Sequence, residues 1–238
     1  MIYLLTIIAV ALPVLGLLHY IYTYDQRKPE PRIVLFLTFV AGTIGGVFTF
    51  FFDKYVGIAD IYTAHPTSMG NYITITLSEA IPDECFKLLA LWLAVRHNRF
   101  FDEIVDGIVY AVCISLGFVF IEDVIHLSFF TDHWYNTAVY RSFFILPGHL
   151  ASGIFMGYFY SRIHFKPSAK PLHWLKVLGI PILCHAFCNI IVLLYNRLDG
   201  NSFFFGYPML LCLIGCTLAI LYYVHQLIEK QLERDLKH

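Results

Sequence analysis

Residues 72–95 read YITITLSEAIPDECFKLLALWLAV, an apolar run with Asp83, Glu84 and Lys87 near its centre. A run of this length is long enough to cross a membrane as a helix, which takes about 20 apolar residues. A charge at the middle of a bilayer costs roughly 2.5–3.5 kcal/mol even on the lenient insertion scale. The run therefore predicts a membrane helix whose charged side chains have a specific role that offsets this cost.

Three further apolar runs carry polar residues of the same kind. They are Glu122, Asp123 and His126 in one run, His149 in the second, and His185 with Asn189 in the third. One such residue could be an accident of packing, but four helices that carry them suggest a polar site built inside the membrane. At a rise of about 1.5 Å per residue, Glu84, Glu122, His149, His185 and Asn189 lie roughly 9–18 Å from the outer ends of their helices, a layer in which they could converge.

The composition predicts one all-α membrane domain that spans residues 1–238. The chain has 238 residues, of which 58% are hydrophobic and 14% are charged, which is typical of a polytopic membrane protein. Its formal net charge of -1 provides no basic surface for nucleic acid, so the expected surroundings are the lipid bilayer.

Seven transmembrane helices are predicted from the apolar runs. They cover residues 2–23, 33–52, 72–95, 104–128, 141–161, 172–196 and 204–228. Twelve Lys and Arg residues lie in the odd-numbered loops and the C-terminal tail, against three in the even-numbered loops. Because basic residues stay in the cytoplasm, the N-terminus is predicted outside and the C-terminus in the cytoplasm of a cell membrane.

The first constellation is the acid pair with its lysine. Lys87 follows Glu84 by three residues and Asp83 by four, so it can pair with either carboxylate on a helix. Neighbouring side chains point about 100° apart, so the other carboxylate is left to face elsewhere. A carboxylate held in an apolar site is what a general base requires.

Two histidine segments complete the pattern. Pro147–Gly148 predicts a break in the helix just before His149, and small residues at Gly153 and Gly157 predict that another helix approaches closely there. His185 and Asn189 are four residues apart on one helix face, so they could offer an imidazole and an amide to a single oxygen atom.

With these residues the chain resembles the PrsW family of intramembrane proteases, which is related to the CAAX-prenyl endopeptidase superfamily. The resemblance covers roughly residues 78–195, and four segments carry it in family order. They are DECFK at residues 83–87, residues 101–123 ending in Phe118-x-x-x-Glu122, residues 141–158 with His149, and His185-x-x-x-Asn189. One departure is Asp83, where the family has glutamate.

The resemblance implies an intramembrane endopeptidase that cleaves a single-span, anti-sigma-factor-like regulatory protein. The implied catalytic set is Asp83, Glu84, Glu122, His149, His185 and Asn189, with Lys87, Phe118 and Asp123 in support. Glu84 or Asp83, helped by His149, would activate a water, and Glu122 would position water or substrate. His185 and Asn189 would stabilise the oxyanion.

The participation of a metal is left open at this point. His149, His185 and Glu84 could hold Zn²⁺, and metalloprotease labels exist for the family. The chain has no His-Glu-x-x-His motif, however, and a metal-free mechanism fits equally well. A haem held between His149 and His185, which lie at similar depth, is a further alternative.

Two other functions fit the same residues. Intramembrane acids and histidines also form the proton relays of transporters and sensors, although no inverted repeat is detectable in the chain. The other alternative is a catalytically inactive relative that binds membrane partners, and the shorter side chain of Asp83 suggests it.

Overall fold

The computed structural model describes residues 2–24, 29–56, 69–129, 137–138, 141–165 and 171–197, with six isolated positions between 211 and 229. This part of the chain is helical and contains no strand. In chain order its helices are α1 Ile2–Tyr24, α2 Arg32–Val56, α3 Met69–Val95, α4 Ile104–Phe129, α5 Leu146–Phe165 and α6 Pro171–Arg197. The predicted all-α class is confirmed, and the bounds of these six helices lie close to the predicted spans.

Three described helices are long and apolar enough to cross a membrane. They are Arg32–Val56, Ile104–Phe129 and Leu172–Leu194. α3 has 27 residues but carries four charged side chains, which lowers its apolar character. The count of seven spans and the orientation of the termini stay predictions, and the predicted span 204–228 lies almost entirely outside the described residues.

α4 is the central helix of the bundle. It packs against α1, α2, α3 and α5. Of the residues in its apolar membrane-spanning stretch, 89% are buried, compared with 28% in α2 and in α6. Its apolar side chains Ile108, Val112 and Leu116 join Leu150 and Ile154 of α5 in one core cluster. Because other helices surround α4, Glu122 near the C-terminal end of α4 can be kept away from lipid.

Glycines allow the backbones of neighbouring helices to touch. A Cβ atom at Gly42 of α2 would overlap the carbonyl group of Ile114 in α4. A Cβ atom at Gly157 of α5 would likewise overlap the carbonyl group of Gly107 in α4. The predicted close approach at the small residues after His149 is therefore confirmed, and α4 is clamped between α2 and α5.

The predicted helix break before His149 lies earlier in the chain than expected. Arg141–Ile145 forms a π-helical turn, and the α-helix continues from Leu146 through Pro147–Gly148 to Phe165. Proline is tolerated in the first turn of a helix because the amide hydrogen it lacks has no intrahelical acceptor there. The irregular backbone is thus displaced to the π-helical turn, and His149 lies on regular α-helix.

Candidate active site

Four helices bring polar side chains into one buried layer. α3 supplies Asp83, Glu84 and Lys87, α4 supplies Glu122, α5 supplies His149 and α6 supplies His185; we call these six residues the acid–histidine layer. Five of them are buried, and Glu122 keeps 26% of its side chain exposed. The layer therefore has one partly open carboxylate next to a closed interior.

Glu84 is enclosed by donors on one oxygen and lacks a partner on the other. Its Oε1 accepts a hydrogen bond from Lys87 Nζ at 2.7 Å and another from His185 Nδ1 at 2.9 Å. Its side chain is 0% exposed, and Oε2 has no hydrogen-bond partner among the described residues. Glu84 thus joins α3 to α6 and holds the lysine in place.

Lys87 connects the acid pair to the histidine of α5. Its Nζ also lies 3.0 Å from His149 Nδ1 and 4.7 Å from the centre of the Phe118 ring, which stacks on the imidazole of His149. An ammonium group can only donate hydrogen bonds, so Nδ1 of His149 is the acceptor. The ring of His149 is then neutral, with its proton on Nε2.

His149 and Glu122 face each other through atoms that have no other partner. His149 Nε2 lies 3.4 Å from Glu122 Oε2, and neither atom makes a hydrogen bond within the described chain. Buried polar atoms in proteins are nearly always hydrogen-bonded, so such a pair marks a place for water or substrate. The other oxygen of Glu122 accepts a hydrogen bond from Arg141 Nη2 at 2.6 Å.

Asp123 and His126 surround Glu122 without joining the layer. Asp123 accepts a hydrogen bond from Arg141 Nε, and His126 Nε2 is 3.9 Å from Glu122 Oε1 with 45% of its side chain exposed. Sequence reasoning used Arg141 only to orient the chain. The signal that could have identified it is an arginine at the head of an apolar run, opposite an acid pair that needs a counter-charge.

The two polar residues of α6 bind different acids of α3. His185 Nε2 lies 3.8 Å from Asp83 Oδ2, and its ring centre is 4.5 Å from that of His149. Asn189 Nδ2 instead donates to Glu79 Oε2 at 3.1 Å. Glu79, which is outside the predicted set, therefore belongs to the surroundings of the site and lies one helical turn from Asp83.

The donors do not fit a zinc site. Within the described residues, no three His, Cys, Asp or Glu side chains converge closely enough to hold a metal ion. The ammonium of Lys87 lies between Glu84 and His149, where it repels a further cation, and it leaves a proton on the Nε2 atom that would have to bind the metal. In the predicted ligand set, hydrogen bonds engage His149 Nδ1, His185 Nδ1 and Glu84 Oε1, and the unpartnered atoms His149 Nε2 and Glu84 Oε2 do not converge with a third donor among the described residues.

A family model described as "PrsW family intramembrane metalloprotease" matches residues 30–223 of the chain. Among curated relatives, Protease PrsW of Bacillus subtilis is 29% identical over 181 residues, which cover 76% of this chain and 79% of the relative. Protease PrsW of Geobacillus kaustophilus is 28% identical over 214 residues, which cover 90% and 88%.

A third relative, Protease PrsW of Oceanobacillus iheyensis, is 29% identical over 180 residues, which cover 76% of this chain and 79% of the relative. No solved structure matches the chain significantly. The matched range includes all six residues of the acid–histidine layer.

Proposed function

The chain belongs to the PrsW family of intramembrane proteases, and on that premise we propose how it acts and on what. The reaction is hydrolysis of a peptide bond in or next to the membrane segment of a single-span regulatory protein such as an anti-sigma factor. Apolar helices and bacterial relatives make the chain a multi-pass membrane protein. We assign it to the plasma membrane of a bacterium, with the site in the outer half of the bilayer.

The observation that carries this proposal is the facing pair of unpartnered atoms, His149 Nε2 and Glu122 Oε2, 3.4 Å apart. Neither atom is accessible to water in this arrangement, so the catalytic water enters between them when the two side chains separate. In that position the water accepts a hydrogen bond from His149 Nε2–H and donates one to Glu122 Oε2, which leaves its second lone pair for attack. Glu122 is the one member of the layer with a partly exposed side chain, although its Oε2 is buried, so water and substrate would enter from the side of Glu122.

Every proton moved in the hydrolysis is accounted for by these two side chains and one water molecule. Glu122 removes a proton from the water as its oxygen bonds to the peptide carbonyl carbon, which forms a tetrahedral oxyanion. When the carbon–nitrogen bond breaks, Glu122 returns that proton to the leaving amine. General acid–base transfer of this kind contributes typically about 10²–10⁴-fold in rate.

His185 and Asn189 are assigned to the oxyanion, as the family resemblance implies. Glu84 holds the ring of His185, and Glu79 holds the amide of Asn189. Asn189 keeps a second N–H for the oxyanion, whereas His185 donates from Nε2 only when its ring is protonated, with Asp83 3.8 Å away as the counter-charge.

Lys87 and Glu84 act through the groups that they hold. Lys87 keeps His149 in the tautomer that presents N–H to the water, and Glu84 keeps Lys87 and His185 in place. The base assigned from the sequence to Glu84 or Asp83 is therefore moved to Glu122. Asp83 lies next to His185. The shorter aspartate side chain therefore alters the contact with His185 and leaves the general base, Glu122, unchanged.

The experiment uses a Bacillus subtilis strain that lacks its own Protease PrsW. Wild-type protein, Glu122→Gln, His149→Ala and a control, Cys85→Ser, are expressed with epitope-tagged single-span membrane proteins of that strain. Cys85 is the exposed neighbour of Glu84 on α3. Mass spectrometry of new peptide termini then identifies the cleaved bonds.

A truncated product with wild-type and control protein, absent with both site variants, is the expected result. Equal processing by all four proteins at equal abundance would contradict the proposal. Proton-dependent solute flux in liposomes would then be measured to test the transporter alternative.

A further inference from the structure

Arg141 contacts two carboxylates of α4 at once. It is 4% exposed, and its guanidinium donates through Nη2 to Glu122 Oε1 at 2.6 Å and through Nε to Asp123 Oδ1. It thus holds both members of the acid pair on α4 from a different part of the chain.

The geometry of this contact needs arginine in particular. Glu122 and Asp123 are neighbours on a helix, so their side chains leave it about 100° apart. A guanidinium is a planar fork with five donors and can reach two such carboxylates at once, whereas the ammonium of lysine is a compact point charge. The grip on Glu122 therefore depends on the shape of the cation as well as its charge.

The position of Arg141 in the chain adds a second constraint. It begins the π-helical turn Arg141–Ile145, which runs directly into the helix that carries His149. π-helical turns occur frequently at functional sites. The same segment therefore sets the place of His149 and, through its arginine, that of Glu122.

We propose that Arg141 is a positioning residue of the peptidase reaction, which clamps Glu122 through Oε1 so that Oε2 faces His149 Nε2. This inference rests on the proposed function, because the clamped atom is the base of that mechanism. Arg141 touches neither water nor substrate in it, so its loss changes the chemical step rather than substrate binding.

The test compares Arg141→Lys with a matched control, Arg162→Lys, in purified protein reconstituted into liposomes. Arg162 is an exposed arginine of α5 whose Nη1 donates to Tyr158 Oη at 3.1 Å. The substrate is the tagged single-span protein identified in the screen above, and kcat and KM are measured separately. We expect kcat to fall at least tenfold in Arg141→Lys with KM within twofold, and both to stay within twofold in Arg162→Lys.

A second variant guards against misfolding of the first. In the double variant Arg141→Gln with Asp123→Asn, two neutral amides replace a buried ion pair and can still bond to each other. Its kcat should fall at least as far as that of Arg141→Lys, because Glu122 has lost its clamp, while its thermal midpoint should lie above that of Arg141→Gln alone, in which Asp123 also loses its buried partner.

Two results would overturn the inference. Wild-type kcat in either variant would show that Glu122 needs no clamp, and a loss confined to KM would assign Arg141 to substrate binding. A wild-type protein that cleaves nothing would instead overturn the proposed function, and this inference with it.

Discussion

Buried carboxylates occur in two regions of this molecule, and their partners differ. At the turn between α3 and α4, Asp106 Oδ2 accepts hydrogen bonds from the backbone amides of Asp102 and Glu103, and Glu30 accepts one from the hydroxyl of Tyr110. We call this region the turn cluster. In the acid–histidine layer, carboxylates bind side chains from other helices and keep oxygen atoms without a partner.

The difference separates structural acids from candidate catalytic ones. The side chain of Asp106 reaches back to the amide that precedes its helix, which is one half of a capping box, and the turn cluster gains stability from it. The layer retains unpartnered buried atoms, which cost free energy unless water or substrate binds to them. Burial of a carboxylate alone does not indicate a catalytic role. The hydrogen-bond partners of the carboxylate distinguish a structural acid from a candidate catalytic one.

The largest expected effect is on catalysis, from Glu122→Gln in the layer. The amide cannot accept a proton from water, so kcat should fall by about 10²–10⁴-fold, the usual contribution of a general base. The matched exchange in the turn cluster, Glu30→Gln, should leave kcat within twofold. Both are measured on the reconstituted protein. A Glu122→Gln variant with wild-type kcat would contradict the distinction between structural and catalytic acids.

The next effect is on stability, from Lys87→Met. Its removal leaves Glu84 buried without its cation, and breaking a buried pair from one side costs about 3–5 kcal/mol. Thermal unfolding in detergent measures the change, with Lys54→Met on the exposed end of α2 as the control. Adding Glu84→Gln to Lys87→Met should restore part of the lost stability but no activity; a double variant as unstable as the single one would argue against the pairing.

A smaller effect is expected from Asp106→Ala in the turn cluster. The loss of this cap should lower the free energy of unfolding by about 0.5–2 kcal/mol, with kcat within twofold. Hydrogen exchange should become faster at the amides of Asp102 and Glu103, whose acceptor is removed. Loss of kcat without any change in exchange would mean that the turn cluster takes part in catalysis.

The smallest effect is expected from metal removal. Since Lys87 occupies the space between Glu84 and His149, incubation with a strong zinc chelator should change kcat by less than twofold. The protein is then dialysed and assayed with and without added Zn²⁺. Loss of activity on chelation and recovery with zinc would show that the layer rearranges to bind a metal.

Much of the fold could be predicted because hydropathy is a local property of the chain. The apolar run at 72–95 becomes the helix Met69–Val95, and the run at 104–128 becomes Ile104–Phe129. The small residues after His149 predict where α4 approaches, since only a missing side chain lets backbones touch. The residues expected to form a polar site were also identifiable, because charges inside apolar runs are costly.

The pairings within the site could not be predicted in this way. Lys87 is spaced to bind either acid, and the rotation of α3 against α6 decides for Glu84, whose Oε1 also binds His185. Asn189 binds Glu79 rather than sharing an oxygen with His185. Each outcome depends on the relative rotation and depth of two helices, which no single run of sequence contains.

The sequence by itself thus determined the helices, their apolar character and the chemical types available at one depth of the bundle. Only the tertiary structure decided which carboxylate is closed by donors, which one faces His149, and that Arg141 reaches both Glu122 and Asp123. The physical reason is that transfer free energy adds up residue by residue along a helix. A hydrogen bond exists only when atoms from two separate helices come within about 3 Å of each other.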